Sequence, residues 1–123
     1  MELSLEEMKS ITRRFVSEPW GKGDISVLDE LCSPDYALGE MGLPEFKNAI
    51  REIRKAVPDL TIEIKEMIAE GDKVAYSWDM RGTHNTTKKP VRFTGITIIQ
   101  FADGKIVRDQ YQSSSPSLEE QLS

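Results

Sequence analysis

The stretch from Pro58 to Val107 reads PDLTIEIKEMIAEGDKVAYSWDMRGTHNTTKKPVRFTGITIIQFADGKIV, and its period decides the fold. Pro58 stops a helical pattern, because proline lacks the amide hydrogen that a helix interior requires. Beyond it, Leu60, Ile62 and Ile64 alternate with Thr61, Glu63 and Lys65, which is the pattern of a strand with one buried face. A turn at Gly71 and Asp72 follows. Val74, Tyr76, Trp78 and Met80 then share one face of a second strand, opposite Ala75, Ser77, Asp79 and Arg81. Arg92 to Phe101 is a third strand, apolar at nearly every position from Ile96 to Ile99. Ala102, Asp103 and Gly104 form a tight turn into a fourth, running from Lys105 to Ser114.

Upstream the period is helical. Leu5, Met8, Ile11 and Phe15 fall on one face, and Ser4 with Glu7 supplies a capping box, predicting a helix over residues 4–18. Gly21 and Gly23 break it. Asp24 can cap a short second helix that turns Val27, Leu28 and Leu31 inward. Tyr36 to Leu38 reads as a short extended piece, and Pro44 suits the first turn of a third helix presenting Phe46, Ala49, Ile50, Ile53 and Val57. The polar tail after Pro116 is expected on the surface or at an edge. Three helices followed by four long antiparallel strands give an α+β fold, the helices packed on one face of a curved sheet.

A length of 123 residues suits one domain, 1–123. The net charge of −5, with no basic cluster beyond Lys88 and Lys89, argues against nucleic acid as a partner. Cys32 is the only cysteine, so an internal disulfide and a thiolate metal site are excluded, in keeping with a cytoplasmic location. No apolar run suggests a signal peptide or membrane span. With one histidine and no metal-ligand spacing, no metal is expected. Without a phosphate-binding glycine loop, no nucleotide cofactor is expected either.

Pro58-Asp59-Leu60, Ala69-Glu70-Gly71-Asp72-Lys73-Val74, Gly82-Thr83-His84 and Phe101-Ala102-Asp103-Gly104-Lys105-Ile106-Val107, in this order, resemble the SnoaL-like polyketide cyclases of the nuclear-transport-factor-2-like superfamily. Trp20-Gly21-Lys22-Gly23-Asp24 and Cys32-Ser33-Pro34-Asp35-Tyr36 extend the resemblance over nearly the whole chain. The resemblance implies a cone-shaped curved antiparallel sheet with the three helices on its concave face, a deep apolar pocket between them, and a homodimer. It does not by itself imply cyclisation, because the superfamily hosts isomerases, dehydratases, hydroxylases and plain binding modules.

The resemblance also implies an acid-base aspartate near the end of the last strand, and in register from Gly104 that position holds Ser114. The family's tryptophan falls at Gln110 and its histidine at Gly39. With the inward face fixed this way, Gln110, Gln112 and Ser114 line the pocket and orient a ligand oxygen by hydrogen bonds. A merely solvated strand face is the plain alternative. Three side chains remain for proton transfer: His84, the only histidine, at a strand end; Glu40, beside the lost histidine position; and Asp109. Alternation puts Asp109 outside, and a β-bulge between residues 109 and 114 would bring it back in. Trp78, Tyr76, Met80, Phe93 and Ile98 are the expected apolar wall, Trp20, Met41 and Met8 the expected lid or wall on the helical side, and Tyr36 a further ligand contact. For any one of the sheet residues taken singly, ordinary core packing is the preferred reading.

Two functions stay open. One is a cofactor-free cyclase, isomerase or lyase acting on an apolar, oxygenated, polyketide-like molecule, and the other is a non-catalytic binder of the same fold. A carboxylate or imidazole pointing into the cavity separates them, favouring catalysis. An exposed sheet face bearing Ile96, Ile99 or Val107 is the expected dimer contact.

Overall fold

A computed structural model describes residues 3–114, so the polar tail lies outside the described residues. Helix α1 (Leu5–Val16) starts at Ser4, whose hydroxyl accepts from the Glu7 amide at 3.0 Å while the Glu7 carboxylate accepts from the Ser4 amide at 2.9 Å. The expected capping box is therefore present, but the helix does not simply stop. It widens into one π-helical turn, Ser17–Gly21, that carries Trp20. Helix α2 (Val27–Leu31) buries Val27, Leu28 and Leu31 as expected, and α3 (Leu43–Ala56) has its proline in the first turn.

Six strands follow or interleave: β1 (Cys32–Leu38), β2 (Met41–Gly42), β3 (Thr61–Glu70), β4 (Lys73–Thr83), β5 (Pro90–Ala102) and β6 (Lys105–Ser113). They form one sheet in the order β2-β1-β6-β5-β4-β3, curved and unclosed. The sheet is mixed rather than wholly antiparallel, since β1 runs parallel to β6. The extended piece at Tyr36 is thus a full strand. Its partner lies some seventy residues along the chain, and such distant pairing leaves no mark on local periodicity.

Two irregularities set which side chains face the helices. On β3, Ile64 pairs with Trp78 but Glu66 pairs with Ser77, so Lys65 is an extra residue. The Ser77 hydroxyl accepts from the Glu66 amide at 3.1 Å beside this bulge. On β6, Phe101 pairs with Ile106 while Gln100 pairs with Arg108, so Val107 is extra. Ile106 and Asp109 consequently both point inward and are both buried, although they are three residues apart. The core on that side includes Phe15, Tyr36, Phe46 and Ile50 from β1 and the helices, packed on Val74, Ile99 and Ile106 of the sheet.

Candidate functional site

Between the helices and the inner face of the sheet lies a cavity of about 170 Å³. Its sheet wall is built in cross-strand rows. Leu38, Asp109, Ile99 and Val74 form one row, Tyr111, Thr97 and Tyr76 the next, and Ser113, Gly95 and Trp78 the third. Phe93 and Met80, paired with each other, continue the wall beyond Trp78. The opposite wall comes from Phe15, Trp20, Phe46 and Ile53, with Met41 from β2.

The aromatic groups are fixed by contacts of their own. Phe46 stacks on Phe15 at 5.9 Å between ring centroids, lies 5.1 Å from Tyr36 and meets Trp20 edge-on at 6.1 Å. The Trp20 carbonyl in the π-helical turn accepts a 2.5 Å hydrogen bond from Arg54 Nη1 of α3, tying that wall residue to the helix across from it. Trp78 packs edge-on against Phe93 at 5.0 Å, and its indole Nε1 donates to Thr97 Oγ1 at 2.8 Å. Gly95 makes this placement possible. A Cβ there would stand 2.4 Å from Trp78 Cζ2 and 2.7 Å from the Gln112 carbonyl oxygen, so only glycine lets the indole cross β5.

Among the described residues Asp109 is the one carboxylate in the lining. Its side chain is buried, and Tyr36 donates its hydroxyl to Oδ2 at 2.6 Å. Burial pushes the Asp109 carboxyl up to about 6, against the opposing pull of the Tyr36 hydrogen bond, which favours the ionised form. The groups facing it do not titrate in that range. Burial, then the nearby Asp109 charge, raises Tyr36 and Tyr76 well above the usual phenol range, and burial pushes the Cys32 thiol up to about 12. No Lys, Arg or His lines the cavity among the described residues. Asp109 Oδ1 has no hydrogen bond to a described residue and is the oxygen left for a ligand.

The expected wall residues Tyr76, Trp78, Met80, Phe93, Trp20 and Met41 do line the cavity, and Tyr36 stands behind Asp109. The polar residues of β6 are placed otherwise. Gln110 and Gln112 lie exposed on the outer face, and Ile98 sits beside Gln110 there, because the extra residue at Val107 exchanges the two faces from that point on. The bulge precedes Asp109 instead of following it. Ser114 closes the ladder: its hydroxyl accepts from the Thr94 amide at 3.0 Å and its amide donates to the Thr94 carbonyl at 2.8 Å. His84 is outside the cavity lining, in the turn after β4, where Nδ1 accepts from the amides of Thr86 and Thr87 at 3.1 and 3.3 Å. Glu40 is exposed in the β1–β2 turn, between Leu38 and Met41 that do line the cavity.

Thr97, Tyr111 and Ser113 are lining residues that the sequence reading missed. One signal was available. Ile106 and Tyr111 cannot share a face under strict alternation, and an inserted residue between them reconciles the two. Among the described residues no three His, Cys, Asp or Glu side chains converge as a metal site, and no helix is long and apolar enough to cross a membrane.

The comparisons with known proteins agree with this architecture. A protein of Bacillus cereus ATCC 10987, described as a candidate polyketide cyclase, is 30% identical over 94% of this chain and 80% of its own, with a TM-score of 0.82. AclR of Streptomyces galilaeus, a candidate hydroxylase, is 26% identical over 97% of both chains at 0.85. TsrD of Streptomyces laurentii superposes at 0.87 over 98% of both chains at 22% identity, a likeness of fold. No curated protein matches in sequence. The model of the SnoaL-like polyketide cyclase domain matches residues 10–122, and the chain belongs to that family.

Proposed function

We propose that this protein is a cofactor-free enzyme of the cyclase or isomerase type, acting on an apolar, oxygenated small molecule, with Asp109 as its acid-base. The observation that carries the reading is a buried carboxylate, braced by Tyr36 and the only charged side chain among the described lining residues, in the wall of a largely apolar cavity. A carboxylate so placed is basic enough to take a proton from carbon, and its conjugate acid is strong enough to return it.

In the forward step, ionised Asp109 removes a proton from the carbon next to a carbonyl, and the C–H electron pair moves through that carbon to leave an enolate. Where a C=C bond is conjugated with the enolate, its far carbon takes the proton back from Asp109 and the double bond moves, giving the isomer. Alternatively the enolate carbon attacks a second carbonyl of the same molecule; a C–C bond forms, and the new alkoxide takes the proton from Asp109. Either way the carboxylate is regenerated. The aromatic walls hold the reacting atoms in place and keep water from the enolate.

Exchange of α-protons measures the first step without the natural substrate. In D₂O, with 2-tetralone as the probe, the protein is expected to accelerate α-deuteration as seen by NMR, and Asp109→Asn to lose on the order of 100-fold or more of it. Binding of the ketone with no acceleration over buffer would leave a non-catalytic binder and sink the enzyme reading.

The reading extends to a homodimer through the outer sheet face. Ile68, Ile96 and Ile98 are exposed there, whereas Ile99 lies fully buried in the core and Val107 half-buried at the bulge, so these two drop out of the expected contact. Sedimentation at micromolar concentration is expected to show a dimer that Ile96→Lys dissociates. The single buried thiol, Cys32, accords with a cytoplasmic setting, and the net charge of −5 with a partner other than nucleic acid.

A further inference from the structure

We infer that the substrate is an uncharged molecule of one ring or two fused rings, bound with its oxygen at Asp109 and its ring edge against Trp78. The inference rests on the enzyme reading for the word substrate, but the size and charge limits rest on the cavity alone.

Size comes first. A cavity of roughly 150 Å³ holds one benzene, and pockets for drug-sized ligands run from about 300 Å³ upwards. At about 170 Å³ this cavity encloses one ring and part of another. Its lining reaches the end of β6, where Tyr111 is 46% exposed. A linear three-ring skeleton meets the Phe15, Phe46 and Trp20 group on one side and Trp78 on the other. Neither side yields easily: the Trp20 ring packs edge-on against Phe46 with its backbone held by Arg54, and Trp78 is held by Thr97 over Gly95.

Charge comes second. An anionic ligand group would be buried beside Asp109 with no cation among the described lining residues to offset it, and a cationic one would form a lone buried ion pair whose desolvation offsets its attraction. A single neutral oxygen needs only a donor or an acceptor. Asp109 Oδ1 supplies either, according to its protonation. Tyr76 in the next row and Ser113 in the row beyond add hydroxyls to the same wall for a second, weaker contact.

Calorimetry of the full-length protein at pH 7.5 tests both limits with four probes: 2-naphthol, 2-naphthoate, 2-naphthylmethylammonium and 1,8-dihydroxyanthraquinone. The expected result is that 2-naphthol binds at least tenfold more tightly than each of the others, and that Ala49→Phe, which fills the cavity from α3, weakens it at least tenfold. Ile53→Trp gives a second test of filling from the same helix if Ala49→Phe does not fold. The size limit is overturned if the anthraquinone binds as well as 2-naphthol, and the charge limit if either charged naphthalene does. Undiminished 2-naphthol binding in a folded, filled variant would move the site out of the cavity. Because binding is read without turnover, these outcomes stay separate from the α-deuteration result: tight, size-limited binding with no exchange sinks the enzyme reading and leaves the ligand limits standing.

Discussion

Asp79 and Asp109 lie in the same sheet and are about equally hidden, at 4% and 7% exposed, yet they are held in opposite ways. Asp79 faces outward from β4 and is covered by two arginines rather than sunk in the core. Arg81 reaches it with Nη2 at 2.8 Å and Nε at 3.3 Å, and Arg92 with Nη2 at 3.0 Å and Nε at 3.2 Å. Those hydrogen bonds, Arg81 foremost, hold its carboxyl well below the usual carboxylate range. Asp109 has an apolar surround that pushes it the other way, and only one neutral donor, Tyr36, to oppose that push. Burial alone therefore does not mark an acid-base group; the number of cations in reach does.

The largest test of this contrast is activity. Asp109→Asn is expected to abolish α-deuteration, on the order of 100-fold or more, whereas Asp79→Asn changes it less than threefold, because Asp79 is on the far side of the sheet. Comparable losses from both would show that the contrast has no bearing on chemistry.

Stability against pH comes next, with opposite signs. Asp109 has a raised folded value, so its contribution is fully present below about 3.8 and is lost as pH rises through about 6. Asp109→Asn is accordingly expected to stabilise the protein by about 2 kcal/mol at pH 7.5 and to have little effect near pH 4. Asp79 has a lowered folded value, so its contribution is present above the ordinary carboxylate value and is lost in acid. Asp79→Asn is expected to cost about 1 kcal/mol at pH 7.5, discounted for the exposed arginines. Urea unfolding at the two pH values reads both signs.

Tyr36→Phe sharpens the Asp109 side. Removing the donor takes away the one interaction that favours the carboxylate, so the acid limb of the exchange rate, expected near pH 6, moves upward and activity lost at pH 6 returns by pH 8. An unchanged limb would mean that Tyr36 does not act on Asp109. Gly95→Ala is expected to push Trp78 off Thr97, weakening 2-naphthol about tenfold and shifting tryptophan emission. The smallest effect is at Gln110→Ala and Gln112→Ala, which should leave binding and exchange within twofold.

The parts of the molecule that announce themselves locally were legible in the sequence. The capping box at Ser4, the apolar stripe of α3 and the alternation of Val74, Tyr76, Trp78 and Met80 each follow from residues a few positions apart. That alternation also identified much of the cavity wall. The parallel pairing of β1 with β6 joins Leu38 to Asp109, and nothing near either residue encodes the other. The π-helical turn at Ser17–Gly21 was hidden in an ordinary helix end. On β6 the strand's polar residues were recognised but assigned to the wrong sides, since one unpaired residue at Val107 reverses everything after it.

That residue makes the cavity's chemistry a matter of parity. The last strand carries two complete linings, Asp109, Tyr111 and Ser113 at odd positions and Arg108, Gln110 and Gln112 at even ones, and the bulge selects the odd set. Straightening the strand at Val107 would present a cation and two amides to the same ligand without changing any side chain. Such a fold can therefore move between proton transfer and simple hydrogen bonding by forming or relaxing one bulge, a step that no comparison of side chains, position by position, would record.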